Sequence, residues 1–379
     1  MKKVIEASEA IAQGVMLCKP AVIPMYPITP QTHIVERLAD YIFDGKLNSE
    51  VIHAESEHSA ISAAIGASAT GVRTFTATAS QGLALMHEIL FVASGMRLPI
   101  VMAIANRTLS APINIWNDHQ DSMSARDSGW IQLYVESSQE ALDTIIMAYK
   151  IAEQRDVLLP AMVCLDGYNL SHVYEIVDIP EQNKVNKFLP RYKPLYKLDP
   201  AKPLTMGPVG FPDTFMEFRA MQHDAMGNAM KAIIKVNKEF RKTFGRGYGN
   251  GLIELYRMED ARYALMTMGT VSGTAKVVID SFRKKGKKVG LIKLKCLRPF
   301  PSSEIIESCE RLKGLAVIDR SISPGYGGPL YSEVHSTVAE KKIVVNSFIA
   351  GLGGRDVTQQ HLAKALNMLN KKRSTEWLG

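Results

Sequence analysis

Cysteine is scarce in this 379-residue chain, and its placement excludes more than its number does. Cys18, Cys164, Cys296 and Cys309 form no CxxC pair and no close group. An iron–sulfur cluster usually takes four closely spaced thiolates, so any cluster serving this protein belongs on another chain. Isolated thiols of this kind read as buried residues of a reducing compartment. No apolar run approaches the ~20 residues that span a bilayer. Met1-Lys2-Lys3-Val4-Ile5-Glu6 lacks the apolar stretch of a signal peptide. A cytoplasmic protein without a membrane partner is expected. There is no GxxxxGK[ST] phosphate loop. Gly325-Tyr326-Gly327-Gly328 and Gly351-Leu352-Gly353-Gly354 lack dinucleotide spacing and read as tight turns.

What is present is ordinary in bulk and uneven in charge. Apolar residues make up 46% and charged residues 22%, as in soluble globular proteins. At roughly 100–200 residues per domain, the length suggests two or three domains. Residues 1–180 hold 11 lysines and arginines against 20 aspartates and glutamates, and the remaining residues hold 34 against 18. A basic half can signal nucleic-acid contact. Here the cations are scattered with few aromatics among them, so no nucleic-acid partner is expected. A solvated or subunit-facing surface fits better.

Helix and strand signals alternate through residues 1–180. Residues 4–17 read as an amphipathic helix. Residues 21–26, 50–54, 73–79, 99–105, 130–135 and 160–165 read as strands, with helical segments between most of them. This pattern predicts a mostly parallel sheet covered on both faces, whose ligands bind beyond the C-terminal strand ends. Residues 181–260 break the rhythm with Pro190, Pro194, Pro200, Pro203, Pro208 and Pro212, then a basic helix from about Phe218 to Phe244. They read as an extended linker arm without a core of its own. The alternation returns over residues 261–379 as a second, smaller α/β domain.

Three loops carry candidate chemistry. In Tyr26-Pro27-Ile28-Thr29-Pro30, two prolines hold the Thr29 hydroxyl stiffly at a strand end. Rigid placement of one donor suits a substrate site, although a plain strand–helix turn would look the same. Glu57 opens a helix of small residues. It either complements the helix dipole or serves as a desolvated carboxylate for proton exchange with a heterocycle. Arg107 follows a strand, where a guanidinium is a natural bidentate clamp for a carboxylate. His119, among acidic neighbours, reads as a base, a ligand or a structural hydrogen-bonding residue. Gly269-Thr270-Val271-Ser272-Gly273-Thr274 opens a helix whose free N–H groups suit an anion, or is plain structure.

At these loops the chain resembles the alpha subunits of 2-oxoacid:ferredoxin oxidoreductases, most closely pyruvate:ferredoxin oxidoreductase. The matching stretches are Tyr26-Pro27-Ile28-Thr29-Pro30, Ser56-Glu57, Thr78-Ala79-Ser80-Gln81-Gly82, Arg107 with Ser110-Ala111-Pro112, Asn117-Asp118-His119-Gln120-Asp121, and Asp166-Gly167. The resemblance implies an α/β chain with a pyrimidine-type thiamine-diphosphate domain over residues 1–180. A linker arm with a basic helix would follow over 181–260, then a transketolase C-terminal-like domain over 261–379. It implies that Glu57, with Ser80 and Gln81, meets the aminopyrimidine, and that Thr29 and Arg107 hold the substrate's carboxylate and oxygen. It implies oxidative decarboxylation of pyruvate to acetyl-CoA and CO2, with coenzyme A as co-substrate and ferredoxin as electron acceptor. Branched-chain, aryl or 2-oxoglutarate substrates, or a non-catalytic assembly role, stay open as alternatives. Leu165-Asp166-Gly167-Tyr168-Asn169 lacks the first glycine of the family's Gly-Asp-Gly magnesium loop, and Asn169 lies too near. No metal ligand is therefore expected here. Thiamine diphosphate would be shared with a beta subunit that brings magnesium, and gamma- and delta-type subunits would bring the iron–sulfur clusters.

Overall fold

The computed structural model describes residues 1–369 and 375–379. Two sheets dominate it. The first runs in the order Cys296–Arg298, Ile131–Tyr134, Ala161–Asp166, Val101–Asn106, Phe75–Thr78. All its neighbours pair in parallel except Cys296–Arg298, an antiparallel edge. A parallel bridge from Thr74 to Val22 extends it to the parallel pair Val22–Met25 and Glu50–His53. Val101–Asn106 and Ala161–Asp166 are buried along their whole length. Their near-continuous apolar runs are what a parallel strand covered on both faces requires. Each run ends in one polar residue, Asn106 or Asp166, at the sheet's C-terminal edge.

The second sheet runs Thr375–Leu378, Val344–Ala350, Gly314–Asp319, Tyr263–Thr267, Val289–Leu294, Ile253–Tyr256, with only the last strand antiparallel. Its Gly314–Asp319 strand is buried throughout and also ends in a carboxylate.

Long-range pairing changes three local expectations. The helix expected over residues 4–17 begins only at Ala7 and runs to Cys18, because Lys2–Glu6 is a strand paired antiparallel with Tyr174–Asp178. Within residues 181–260 the basic helix spans Phe215–Phe244 and buries Ala225, Ala229, Ala232, Ile233, Val236 and Phe240. That one-sided spacing packs into the core that also holds helices Ala7–Cys18 and Ser138–Ala152. Ile253–Tyr256, near the end of the same segment, is an edge strand of the second sheet.

The charge asymmetry is partly answered inside the chain. Glu140, 1% exposed, accepts from Lys293 Nζ and Lys295 Nζ, each at 2.7 Å. Lys293 also meets Glu136 at 2.8 Å, and Lys276 pairs with Glu136 at 2.9 Å. Arg246 grips the Asp143 carboxylate with Nε at 2.8 Å and Nη2 at 3.0 Å. Cations of the basic half thus neutralise buried carboxylates of the acidic half. Burial alone would raise the Glu140 pKa, but Lys295 and Lys293 more than reverse this and hold it at about 2. A group depressed in the folded state contributes stability above its ordinary pKa and loses that contribution as pH falls through the folded value. The Glu140 contribution is therefore complete above 4.5 and disappears as pH falls toward 2. Removing one member of a buried ionic cluster strands the others at a cost of about 3–5 kcal/mol. Glu140→Gln is expected to lower the thermal midpoint by that much stability near neutral pH and far less near pH 2, which calorimetry across pH measures.

Candidate active site

The strand ends of the first sheet gather the candidate residues. After Val22–Met25 the chain passes through Tyr26-Pro27-Ile28-Thr29-Pro30 into helix Thr32–Phe43. Gln31 is fully buried and pins this turn: its Oε1 accepts from the Ile28 N–H at 3.1 Å, and its Nε2 donates to the Ala77 carbonyl at 2.9 Å. The Thr29 side chain stays exposed. The Thr29 carbonyl accepts from Arg107 Nη1 at 2.7 Å, and Arg107 Nη2 reaches Gln81 Oε1 at 3.3 Å. Arg107 is 8% exposed, and its Nε is buried with no partner among the described residues. Burial lowers its pKa, with Asp121, Tyr168 and Glu57 working the other way.

Glu57 enters from the other side. Ser56 caps helix Glu57–Ala69 by accepting from the Ser59 N–H at 3.3 Å, as a serine N-cap should. Glu57 falls in the first turn and is nearly buried. Its carboxylate lies against Gly82. A Cβ there would stand 2.6 Å from Glu57 Oε1 and 2.4 Å from Thr78 Oγ1. Only glycine permits this approach. Thr78 Oγ1 is itself buried and unpartnered among the described residues. Thr29, Arg107, Gln81, Gly82 and Glu57 thus form one contiguous surface. Ser80 is fully buried with φ +48°, and its hydroxyl donates to the Thr108 carbonyl at 2.5 Å.

Asp121 fixes this surface from below. One oxygen accepts from Asn106 Nδ2 and the Ser122 N–H, each at 2.7 Å. The other accepts from the Ser80 N–H at 2.9 Å and the Arg107 N–H at 3.0 Å. A single buried carboxylate therefore sets the Ser80 turn and the Arg107 backbone together. The preceding residues of the same motif face the second sheet. His119 is 1% exposed, and its Nε2 bonds Asp166 Oδ1 at 2.7 Å, so it is a structural residue. The Asp118 carboxylate accepts from the Gly353 N–H at 3.1 Å.

The Gly269–Thr274 turn does hold an anion, and the anion belongs to the chain itself. Asp166 Oδ2 accepts from the Thr270 N–H at 3.0 Å, from the Thr270 hydroxyl, and from Arg320 Nη1 at 2.7 Å. Burial would raise the Asp166 pKa, yet Arg320 and His119 hold it well below the usual carboxylate range. Sequence reasoning missed these roles of Asp121, Asp166 and Arg320. The visible signal was a strand-terminal aspartate beside a glycine, plus a lysine-free anion turn. The Asp166 bonds to Thr270 and Arg320 span 104 and 154 residues and have no local signature.

Comparison with known proteins places this fold among subunits of the thiamine-diphosphate enzyme class. Residues 13–238 match the family model "Pyruvate flavodoxin/ferredoxin oxidoreductase, thiamine diP-bdg", and residues 261–362 match "Pyruvate:ferredoxin oxidoreductase core domain II". The chain belongs to the pyruvate flavodoxin/ferredoxin oxidoreductase family. It is 54% identical to the pyruvate synthase subunit PorA of Methanocaldococcus jannaschii, covering 100% of this chain and 97% of that one. It is 45% identical to the ketoisovalerate oxidoreductase subunit VorA of Pyrococcus horikoshii, covering 94% and 91%. A 2-oxoglutarate:ferredoxin oxidoreductase from Magnetococcus marinus, solved with 2-oxoglutarate, coenzyme A and succinyl-CoA bound, shares the fold. Its TM-score is 0.75 at 17% identity, over 97% of this chain and 65% of that chain.

Asp121→Asn would turn an amide N–H2 toward at least one pair of backbone or side-chain donors. A buried donor left unsatisfied costs about 1–3 kcal/mol. The variant is expected to unfold at lower denaturant by roughly that stability, and an unchanged midpoint would contradict the role given to Asp121.

Proposed function

We propose that this chain is the alpha-type subunit of a thiamine-diphosphate-dependent complex that oxidatively decarboxylates pyruvate to acetyl-CoA and CO2, reversibly, with ferredoxin as electron acceptor. The observation that carries this reading is the single surface formed by Glu57, Gly82, Gln81, Arg107 and Thr29. High identity to a pyruvate synthase subunit over the whole chain supports it.

The residues fit the aminopyrimidine half of the cofactor. Glu57 is a nearly buried carboxylate brought against Gly82, and Thr78 Oγ1 beside it is buried with no partner among the described residues, a donor and acceptor left over for a ligand. When bound, thiamine diphosphate supplies the nucleophilic carbon and electron sink that decarboxylation needs. The Glu57 carboxyl would hydrogen-bond the pyrimidine ring nitrogen and pass the exchangeable proton to and from it. Arg107 offers its guanidinium to the substrate carboxylate, since charge-assisted contacts are the strong ones. Thr29, exposed at the same edge, donates its hydroxyl to a substrate oxygen. Gln81 orients Arg107, and Ser80, its hydroxyl engaged by Thr108, shapes the cofactor turn through its backbone.

The diphosphate, magnesium and iron–sulfur clusters fall to beta, gamma and delta-type partners in this reading. Asp166, the nearest match to a metal-loop aspartate, is already bound by Arg320, Thr270 and His119. Beside Arg107, Ile113 and Trp116 are 81% and 52% exposed on a loop closed by the Thr108 N–H and the Trp116 carbonyl. A beta subunit bringing the diphosphate would cover them. We place the complex in the cytoplasm, in keeping with four free, buried cysteines. Among the described residues no helix is long and apolar enough to cross a membrane.

A branched-chain 2-oxoacid is the second reading, favoured by the identity to a ketoisovalerate oxidoreductase subunit. Thr29 and Arg107 would recognise the head common to these acids. The reconstituted complex is expected to prefer pyruvate over 2-oxoisovalerate and 2-oxoglutarate in kcat/KM, and the reverse order would favour the second reading.

Glu57→Gln is expected to assemble normally and lose 2-oxoacid oxidation, and full activity would remove Glu57 from the site. Arg107→Ala should forfeit about 2–3 kcal/mol of substrate binding, on the order of a 100-fold rise in KM. Steady-state kinetics on the whole complex checks both.

A further inference from the structure

Arg320 stands outside the first sheet yet reaches Arg107 by two routes. It follows the second sheet's Gly314–Asp319 strand and is 3% exposed. Its side chain bridges Asp166 Oδ2 at 2.7 Å and Asn117 Oδ1 at 2.8 Å. Its carbonyl accepts from the His119 N–H at 2.7 Å.

The first route runs through Asp166 to Gly167. The Gly167 N–H donates to the Asn106 carbonyl at 3.1 Å. A Cβ on Gly167 would stand 2.4 Å from that same oxygen and 2.6 Å from Pro30 Cγ. Gly167 is therefore wedged between the residue before Arg107 and the residue after Thr29. The second route runs through the short segment from Asn117 to Asp121. Asn117 and His119 are held by Arg320, and Asp121 holds the Arg107 N–H. The two routes meet at the backbone of residues 106 and 107.

We propose that Arg320 is a positioning residue for recognition of the 2-oxoacid, setting Arg107 and Thr29 through Asp166–Gly167 and through Asn117–Asp121. This rests on the assignment of Arg107 to the substrate carboxylate and of Thr29 to a substrate oxygen. The second sheet is then a structural part of the substrate site rather than a scaffold beside it. A lysine at 320 keeps the charge but cannot bridge Asp166 and Asn117 with the planar fork of a guanidinium. Misplacement of a binding group by about 1 Å costs on the order of 100-fold, so a partial shift is readable kinetically.

The test uses the assembled complex. Arg320→Lys is expected to raise KM for the 2-oxoacid about tenfold or more, with KM for coenzyme A and the affinity for thiamine diphosphate unchanged. Thr270→Val removes one hydroxyl from Asp166 and should move the same KM in the same direction by less. It carries the test if Arg320→Lys does not assemble. Combined with Arg107→Lys, Arg320→Lys should add little further, because both act through one contact. A wild-type KM in an assembled variant overturns the proposal. So does a loss confined to kcat in proportion to lost folded complex, which marks a purely structural role. If Arg107→Lys alone leaves KM unchanged, the substrate-site assignment itself falls, and this proposal with it. A raised KM for Arg107→Lys beside a normal KM for Arg320→Lys sinks only the positioning role.

Discussion

The carboxylate of Asp166 sits where two parallel sheets bring their C-terminal edges together. It is buried, so it would be costly if unpaired. Four contacts remove that cost: a guanidinium from beyond one strand of the second sheet, a backbone N–H and a hydroxyl from beyond another, and an imidazole from the first unit's own loop. The donors come from three separate loops, those carrying Arg320, Thr270 and His119. Satisfying this one group therefore fixes the loops of both sheets relative to each other. The site stands on that arrangement, since Gly167 follows Asp166 directly and props the turns carrying Thr29 and Arg107.

The same economy recurs across the molecule. Asp121 ties two backbone N–H groups from separate loops. Asp319 sits at the start of helix Pro329–Thr337 and accepts from the Leu330 and Tyr331 N–H groups at 2.8 and 3.0 Å. Burial pushes its pKa up to about 7. Lys293 and Lys295 bring the second half's charge to Glu140. These groups hold loops in place without presenting chemistry. The chain's strongly bound carboxylates are thus mostly spent on architecture. Glu57 differs from them in place: its carboxylate lies against Gly82 beside Thr78, at the edge that the proposed reading gives to the cofactor.

Much of the fold was legible in sequence because parallel strands announce themselves. Val101–Asn106 and Ala161–Asp166 are apolar runs of the right length, with helical segments between the strands. Features set by distant partners were not legible. Lys2–Glu6 has enough helical character to be absorbed into the following helix, and only its pairing with Tyr174–Asp178 makes it a strand. Cys296–Arg298 lies in the second α/β stretch but completes the first sheet against Ile131–Tyr134. At the site, Thr29, Glu57 and Arg107 stood out because rigid turns and strand ends mark them locally. Asp166 and Arg320 act through bonds to residues far away in sequence, and Asp121 through backbone N–H groups of loops 14 and 41 residues upstream that no side-chain motif marks. The anion turn at Gly269–Thr274 was readable as a half-site, but its occupant was not.

The central claim is that this chain brings the pyrimidine side and the substrate clamp, while a partner brings the diphosphate. A structure of the assembled complex with thiamine diphosphate bound tests it most directly. The aminopyrimidine is expected against the Glu57 carboxylate beside Gly82, with Arg107 and Thr29 open toward the reacting end and the diphosphate and its metal held by another chain. A ring seated away from Glu57, or a metal-bound diphosphate coordinated by this chain's own residues, would contradict it.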